Sequence, residues 1–300
     1  MGAAAVAGAL HPSIAYAIRL AVLTGCAAEA EELEAMVDRL LGHHDVWDGS
    51  DLARSGLPFE LAFASADPHT LRMTVDASSV SRALALYDEL APARLPEDVR
   101  RAIAAVPPRS AYLGVRWQRH HVAAVTPQLK LYVNTHVWPR PPIDLPVAAH
   151  LTMVAYDGAS DRVERYYRAE ALGIGGVMSL LGARAADVLD LLAEGVGRPL
   201  RGALPSCDFG FSIAARRGSG DAPRITLYGF AGSLFGSDAR CRTAILRLGD
   251  AHRWSFPLYE RVSEPLRAAR GPAMHHGMFG IVADAEPSIT FGLAPRAEVT

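Results

Sequence analysis

The residues best suited to chemistry lie in Pro127–Asn134, where apolar Leu129, Leu131 and Val133 alternate with Lys130, Tyr132 and Asn134. Alternation at period two reads as a strand with one apolar and one polar face. Of the 30 lysines and arginines in the chain, Lys130 is the one lysine. An ammonium is a compact point charge and a guanidinium a planar fork. A chain that otherwise uses arginine therefore keeps lysine where a phosphate-type oxygen is met as a point. The competing reading is a chance surface lysine.

The same wording recurs in Leu71-Arg72-Met73-Thr74, Val163-Glu164-Arg165-Tyr166, Ile225-Thr226-Leu227-Tyr228 and Ile289-Thr290-Phe291-Gly292, each setting polar groups on one face. Earlier, Gly56–Phe63 puts Leu57, Phe59, Leu61 and Phe63 on one side and Glu60 on the other. Five hairpins follow from turn and alternation signals. They are Gly56–Phe63 with Leu71–Asp76, Ala111–Gln118 with Gln128–Asn134, Ala148–Tyr156 with Arg162–Arg168, Asp208–Ala214 with Arg224–Phe230, and His276–Ala283 with Ser288–Ala294. Helical periodicity fills Pro12–Leu41 as two helices, then Val80–Leu90, Pro96–Ala105, Ala169–Gly195, Asp238–Leu248 and Phe256–Ala269. Trp138–Pro142 reads as a Pro-rich loop, and His43-His44-Asp45 as a solvated helix end.

A repeated helix-plus-hairpin unit predicts an α+β fold of five ααββ-type repeats. Ten antiparallel strands that close on themselves turn their polar faces inward and bury their apolar faces beneath an outer ring of helices. The expected lumen is lined by Glu60, Arg72, Lys130, Tyr132, Tyr166 and Tyr228, and a ten-stranded barrel is wide enough to hold a ligand. The alternative is two separate α+β sandwiches with solvated polar faces. Residues 1–300 read as one domain, with 1–50 as its helical N-terminal part.

Composition narrows the function classes. A chain of 300 residues, half of them hydrophobic, with a formal charge of −2 and arginines scattered among acids, gives no nucleic-acid footprint. No apolar run approaches the roughly 20 residues of a membrane span, and Met1–Gly8, though small and apolar, lacks a basic n-region. Cys26, Cys207 and Cys241 suit neither a disulfide framework nor a metal cluster. A cytoplasmic protein is expected. Asp157 and Asp161 are spaced as a turn and strand start rather than as a magnesium-holding pair.

Cations beside several tyrosines suit a ligand that is anionic at one end and becomes cationic at the other, as an allylic diphosphate does on ionising. From about residue 50 to 296 the chain resembles the aromatic prenyltransferases of the ABBA, or PT-barrel, fold, dimethylallyltryptophan synthase type. The resemblance rests on Leu57-Pro58-Phe59-Glu60, Leu71-Arg72, Leu129-Lys130-Leu131-Tyr132, Asp161-Arg162-Val163-Glu164-Arg165-Tyr166 and Pro223-Arg224-Ile225-Thr226-Leu227-Tyr228. It implies transfer of a dimethylallyl or geranyl group to an indole-like aromatic, without a required cofactor and with Mg²⁺ at most accessory, by a monomer or homodimer. It assigns Arg72, Lys130, Arg162 and Arg224 to the diphosphate and Tyr132, Tyr166 and Tyr228 to a shield around the allyl cation. Glu60 is assigned to the acceptor's N–H. Three positions depart from the family pattern. Glu164 stands where a lysine is common, with Arg165 or Arg224 as candidate replacements. Gly292 replaces a tyrosine and opens the shield towards His275 or His276. Arg116-Trp117 occupy the region of a proposed proton-accepting lysine, leaving that base unassigned. The other readings are a non-catalytic barrel that binds an aromatic metabolite and an isoprenoid cyclase.

Overall fold

Each alternating stretch folds as a strand. The computed structural model describes residues 10–27, 30–41, 49–104, 108–117, 128–135, 145–205, 207–269 and 274–297. The strands are β1 (Phe59–Ala64), β2 (Leu71–Asp76), β3 (Pro108–Trp117), β4 (Gln128–Thr135), β5 (Ala149–Asp157), β6 (Arg162–Ala169), β7 (Phe209–Arg216), β8 (Arg224–Phe230), β9 (His276–Val282) and β10 (Ser288–Leu293). Neighbours pair antiparallel, and β1 pairs with both β2 and β10, so the sheet is a closed ten-stranded barrel. Closure leaves no strand edge unpaired. The barrel is thus the architecture found, and the pair of separate sandwiches is not.

Register decides which face is inside, because directly opposed residues share a face. Lys130 opposes Gly114 and Asp157, and Tyr132 opposes Tyr112 and Ala155. Leu129, Leu131 and Val133 point the other way, at 2%, 1% and 1% exposure, into the layer between barrel and helices. Leu57, Phe59, Leu61 and Phe63 do the same on the first hairpin. A smaller apolar cluster of Leu151, Tyr167, Ala169, Phe211 and Ile213 lies outside β5 to β7.

The helices are α1 (Pro12–Leu23), α2 (Ala30–Leu41), α3 (Val80–Leu90), α4 (Glu97–Ala104), α5 (Ile174–Leu181), α6 (Ala185–Val196), α7 (Ala231–Phe235), α8 (Asp238–His252) and α9 (Pro257–Val262). Ser79 and Ser237 begin α3 and α8 by accepting the backbone N–H of Arg82 and Arg240. Helices precede four of the five hairpins. Between β4 and β5 no helix occurs among the described residues.

Two helix expectations are corrected. The stretch 169–195 is not one helix: β6 runs to Ala169, α5 starts at Ile174, and a 3₁₀ turn at Gly182–Arg184 separates it from α6. The stretch 256–269 is likewise broken: α9 ends at Val262 and a 3₁₀ turn carries Pro265, which has no N–H to continue a helix. The short helix α7 carried no separate sequence signal. Met1–Gly8, Ala28, His43-His44-Asp45, Gln118, Pro127 and the loop Trp138–Pro142 lie outside the described residues. No described helix is long and apolar enough to cross a membrane.

A polar strut crosses the layer outside the barrel. His276 of β9 hydrogen-bonds through Nδ1 to Asp238 Oδ1 at 2.6 Å and through Nε2 to Tyr259 Oη at 2.9 Å. Asp238 also accepts the backbone N–H groups of His275 and His276. His276 and Asp238 are each 1% exposed, and the Tyr259 ring packs edge-on to Phe63 and Phe291.

Candidate active site

Each hairpin runs its first strand towards, and its second strand away from, the same end of the barrel, and the arginines gather there. Arg72 opposes Arg116 across β2 and β3, Arg162 opposes Asp157 and Arg216, and Arg224 opposes Ala214. Arg72 donates to Asp67 Oδ2 at 2.9 Å, while its Nε is buried without a hydrogen-bond partner among the described residues. Burial and the neighbouring Arg116 hold the Arg72 guanidinium below its ordinary pKa. Burial opposes ionisation of Asp67, yet hydrogen bonds from Thr70 and Arg72 keep its carboxyl below the usual range. Two opposed guanidiniums with a donor left over form an arrangement that an anion relieves. Arg224 is exposed on this rim and ion-paired with Asp284 at 3.1 Å, away from the tyrosines. Arg116 was not among the expected anion ligands. Its pairing with Arg72 across strands is a property of register, which the sequence does not spell.

Deeper in the lumen stand the three tyrosines. Tyr132 and Tyr166 have ring centroids 6.3 Å apart, and Tyr166 and Tyr228 are 5.9 Å apart. The Lys130 ammonium lies 5.0 Å from the Tyr132 centroid and 5.8 Å from that of Tyr166, and donates to Tyr166 Oη at 3.3 Å. It also pairs with Glu164, whose other oxygen accepts from the fully buried Ser212 hydroxyl. Burial works against both charges, but each holds the other ionised: Glu164 keeps Lys130 above its ordinary pKa, and Lys130 keeps Glu164 below its own. Burial pushes the Tyr166 and Tyr228 hydroxyls up, so both are neutral donors. The Tyr228 ring lies against Gly280, where any Cβ would come within 2.6 Å of it.

Glu60 occupies the opposite wall, opposed to Thr74. Its carboxylate sits on the bare backbone of Gly277 and Gly292, and a Cβ at Gly292 would come within 2.8 Å of Oε2. Gly292 thus leaves the space of a side chain to Glu60 and provides its seat. Burial pushes the Glu60 carboxyl up to about 8, with no cation among the described residues to offset it. Two expected compensations fail for reasons of face. Arg165 opposes Val154 and Ile213 on the outer surface, and His276 belongs to the strut outside the barrel. The Asp157 carboxylate accepts the Ala159 N–H and the Ser160 hydroxyl, as a turn residue does.

The structure thus brings Glu60, Arg72, Lys130, Tyr132, Tyr166 and Tyr228 onto one inner face, with Arg162 and Arg224 at the rim. No group of three or more His, Cys, Asp or Glu among the described residues could hold a metal ion.

No family model matches the sequence, and no curated protein matches it either. Solved structures do match in fold. A 5-dimethylallyltryptophan synthase from Streptomyces coelicolor superposes with a TM-score of 0.71 at 15% identity, covering 95% of this chain and 97% of that one. A 6-dimethylallyltryptophan synthase from Micromonospora olivasterospora, in complex with DMASPP and Trp, gives 0.68 at 13% identity over 94% and 96%. The prenyltransferase PriB, in a ternary complex with L-tryptophan and dimethylallyl thiolodiphosphate, gives 0.69 at 13% over 95% and 98%. At such identities the likeness establishes the fold, a closed ten-stranded PT barrel with its helices outside.

Proposed function

We propose that the protein is an aromatic prenyltransferase, moving a dimethylallyl or geranyl group from its diphosphate to an indole-like aromatic. The observation that carries this reading is a row of three mutually tilted tyrosines, two of them facing a half-buried lysine, inside a closed barrel between an arginine rim and an enclosed acid. Arg72, Lys130 and Arg162, joined by Arg116, would bind the diphosphate and assist its departure; Arg224 would contribute from the outer rim. Tyr132, Tyr166 and Tyr228 would stabilise the allyl cation through their ring faces and keep water from it. Glu60 would accept the acceptor's N–H, orienting the ring and enriching its electrons. The ligands named for two structural neighbours, tryptophan and dimethylallyl analogues, are of the acceptor and donor classes this reading requires.

With Arg72, Arg116, Lys130 and Arg162 meeting the diphosphate, the chemistry would be metal-independent with Mg²⁺ at most accessory. One barrel carries every proposed site residue, so a monomer or homodimer is complete. Helices α1 and α2 share the apolar core with the barrel strands, which supports one domain over residues 1–300. The free cysteines fit a reducing, cytoplasmic setting.

One observation favours a second reading. The ion pair of Lys130 with Glu164 satisfies the lysine internally, as a non-catalytic carrier of aromatic metabolites would allow. Incubation with dimethylallyl and geranyl diphosphates and a panel of indoles, followed by mass spectrometry, separates the two. The enzyme yields an indole heavier by one prenyl unit; a carrier returns the indole unchanged.

A further inference from the structure

Glu164 is the lumen group that prenyl transfer leaves without a task. The Lys130 ammonium lies within cation–π reach of two tyrosine faces, pairs with a carboxylate, and so fills the place where an allyl cation would be held. Glu164 is fixed from its other side by Ser212 of β7, which is 0% exposed, so the acid cannot follow the lysine. Lysine is the mobile partner. Its stem is flexible, and it stands on β4 two residues from Gln128 at the arginine rim, facing Gly114 across the strand pair.

Resting on the prenyl-transfer reading, we propose that the Lys130 ammonium is a resident stand-in for the prenyl cation. Glu164 then becomes the carboxylate facing that cation once the donor's diphosphate draws Lys130 towards the rim. Two cations cannot share the cage, so a donor that seats its allyl group against Tyr132 and Tyr166 has to displace the ammonium. The diphosphate, with more negative charge than one carboxylate, supplies the pull. The allylic C–O bond then breaks, its electron pair leaving with the diphosphate. An aromatic carbon forms the new C–C bond with a pair from its ring, and the ring proton passes to the departing diphosphate. Glu164 neither gains nor loses a proton; it balances the positive charge on the allyl group.

The bland alternative is that Glu164 merely neutralises Lys130 and weakens the donor site. Both readings expect Glu164→Gln to tighten binding of inorganic diphosphate, by about 3–10-fold, because the lysine is released. They diverge in turnover. A lost counter-charge lowers kcat with dimethylallyl diphosphate and an indole by about 10–100-fold, whereas a lost quencher leaves it unchanged or raises it.

Because Lys130 is the sole lysine, protein grown on ¹³C-lysine gives one ε-methylene signal, which reports on the wild type without any substitution. In the empty protein this signal is displaced by the tyrosine ring currents. Saturating inorganic diphosphate should move it towards the position of a lysine free of aromatic neighbours. A signal that stays in place at saturation, or a kcat for Glu164→Gln at or above wild type, overturns the proposal. Wild-type turnover of the donor with an unmoved lysine signal defeats this inference alone. A wild type that neither binds diphosphate nor consumes the donor defeats the prenyl-transfer reading itself.

Discussion

Two glutamates share the lumen and titrate in opposite directions, because Glu60 faces bare glycine backbone while Glu164 faces an ammonium. With its carboxyl pushed up to about 8, Glu60 is largely protonated in the empty barrel at pH 7. An N–H donor favours the ionised form, so acceptor binding should release a proton and strengthen as pH rises towards 8. Calorimetry in buffers of different ionisation enthalpy reads that proton, and Glu60→Gln should abolish it. The same shift acts on stability. Between the ordinary value of 4.5 and about 8, the native state keeps a proton that the unfolded chain has lost. Stability therefore falls with rising pH across that window, and the fall should be absent in Glu60→Gln. Lys130→Ala strands Glu164 as a buried charge, which costs about 3–5 kcal/mol, and should raise the donor KM. Pairing Lys130→Met with Glu164→Gln should recover most of that stability in denaturant melts. A loss below about 1 kcal/mol for Lys130→Ala alone would show that water already screens the pair.

The elements were legible wherever one face had to be buried. Alternation in β4 separated Lys130 and Tyr132 from Leu129 and Leu131 because a strand has only two faces, and burial of one fixed the other. Register was not legible. The pairing of Arg72 with Arg116, and the approach of Lys130 to Glu164 across β4, β5 and β6, depend on how strands slide past one another. The break between α5 and α6 falls at Gly182, whose φ of 57° ends α5, and helical periodicity on both sides of it hid the break. The seat that Gly277 and Gly292 form for Glu60 was hidden too, since a glycine in a strand shows what is missing and not what moves in. The strut Asp238–His276–Tyr259 joins α8, β9 and α9, three elements whose meeting no local pattern announces. Tyr259→Phe leaves His276 Nε2 buried without a partner and should cost about 1–3 kcal/mol. Its ring packing stays, and the strut lies outside the barrel, so kcat should hold. A fall in kcat at unchanged stability would place the strut in the site.

At the scale of the molecule, closure converts five weakly patterned hairpins into one lumen with an arginine rim, an aromatic middle and an acid wall. On the proposed reading, a donor held by the rim and tyrosines would ionise without an acceptor, while the acceptor would depend on Glu60. The account therefore separates two outcomes of a single turnover: capture of the prenyl cation by the aromatic, and capture by water. The most direct measurement is the ratio of prenylated aromatic to prenyl alcohol formed from dimethylallyl diphosphate, in wild type and in Glu60→Gln. Replacing the carboxylate with an amide removes a charge-assisted hydrogen bond of roughly 1.5–3 kcal/mol, so prenylation should fall by about 10–100-fold. Alcohol formation should persist, because on the proposed reading ionisation would rely on Arg72, Lys130 and the tyrosines. A ratio unchanged from wild type, or an equal loss of both products, would contradict the division of the lumen into donor and acceptor halves.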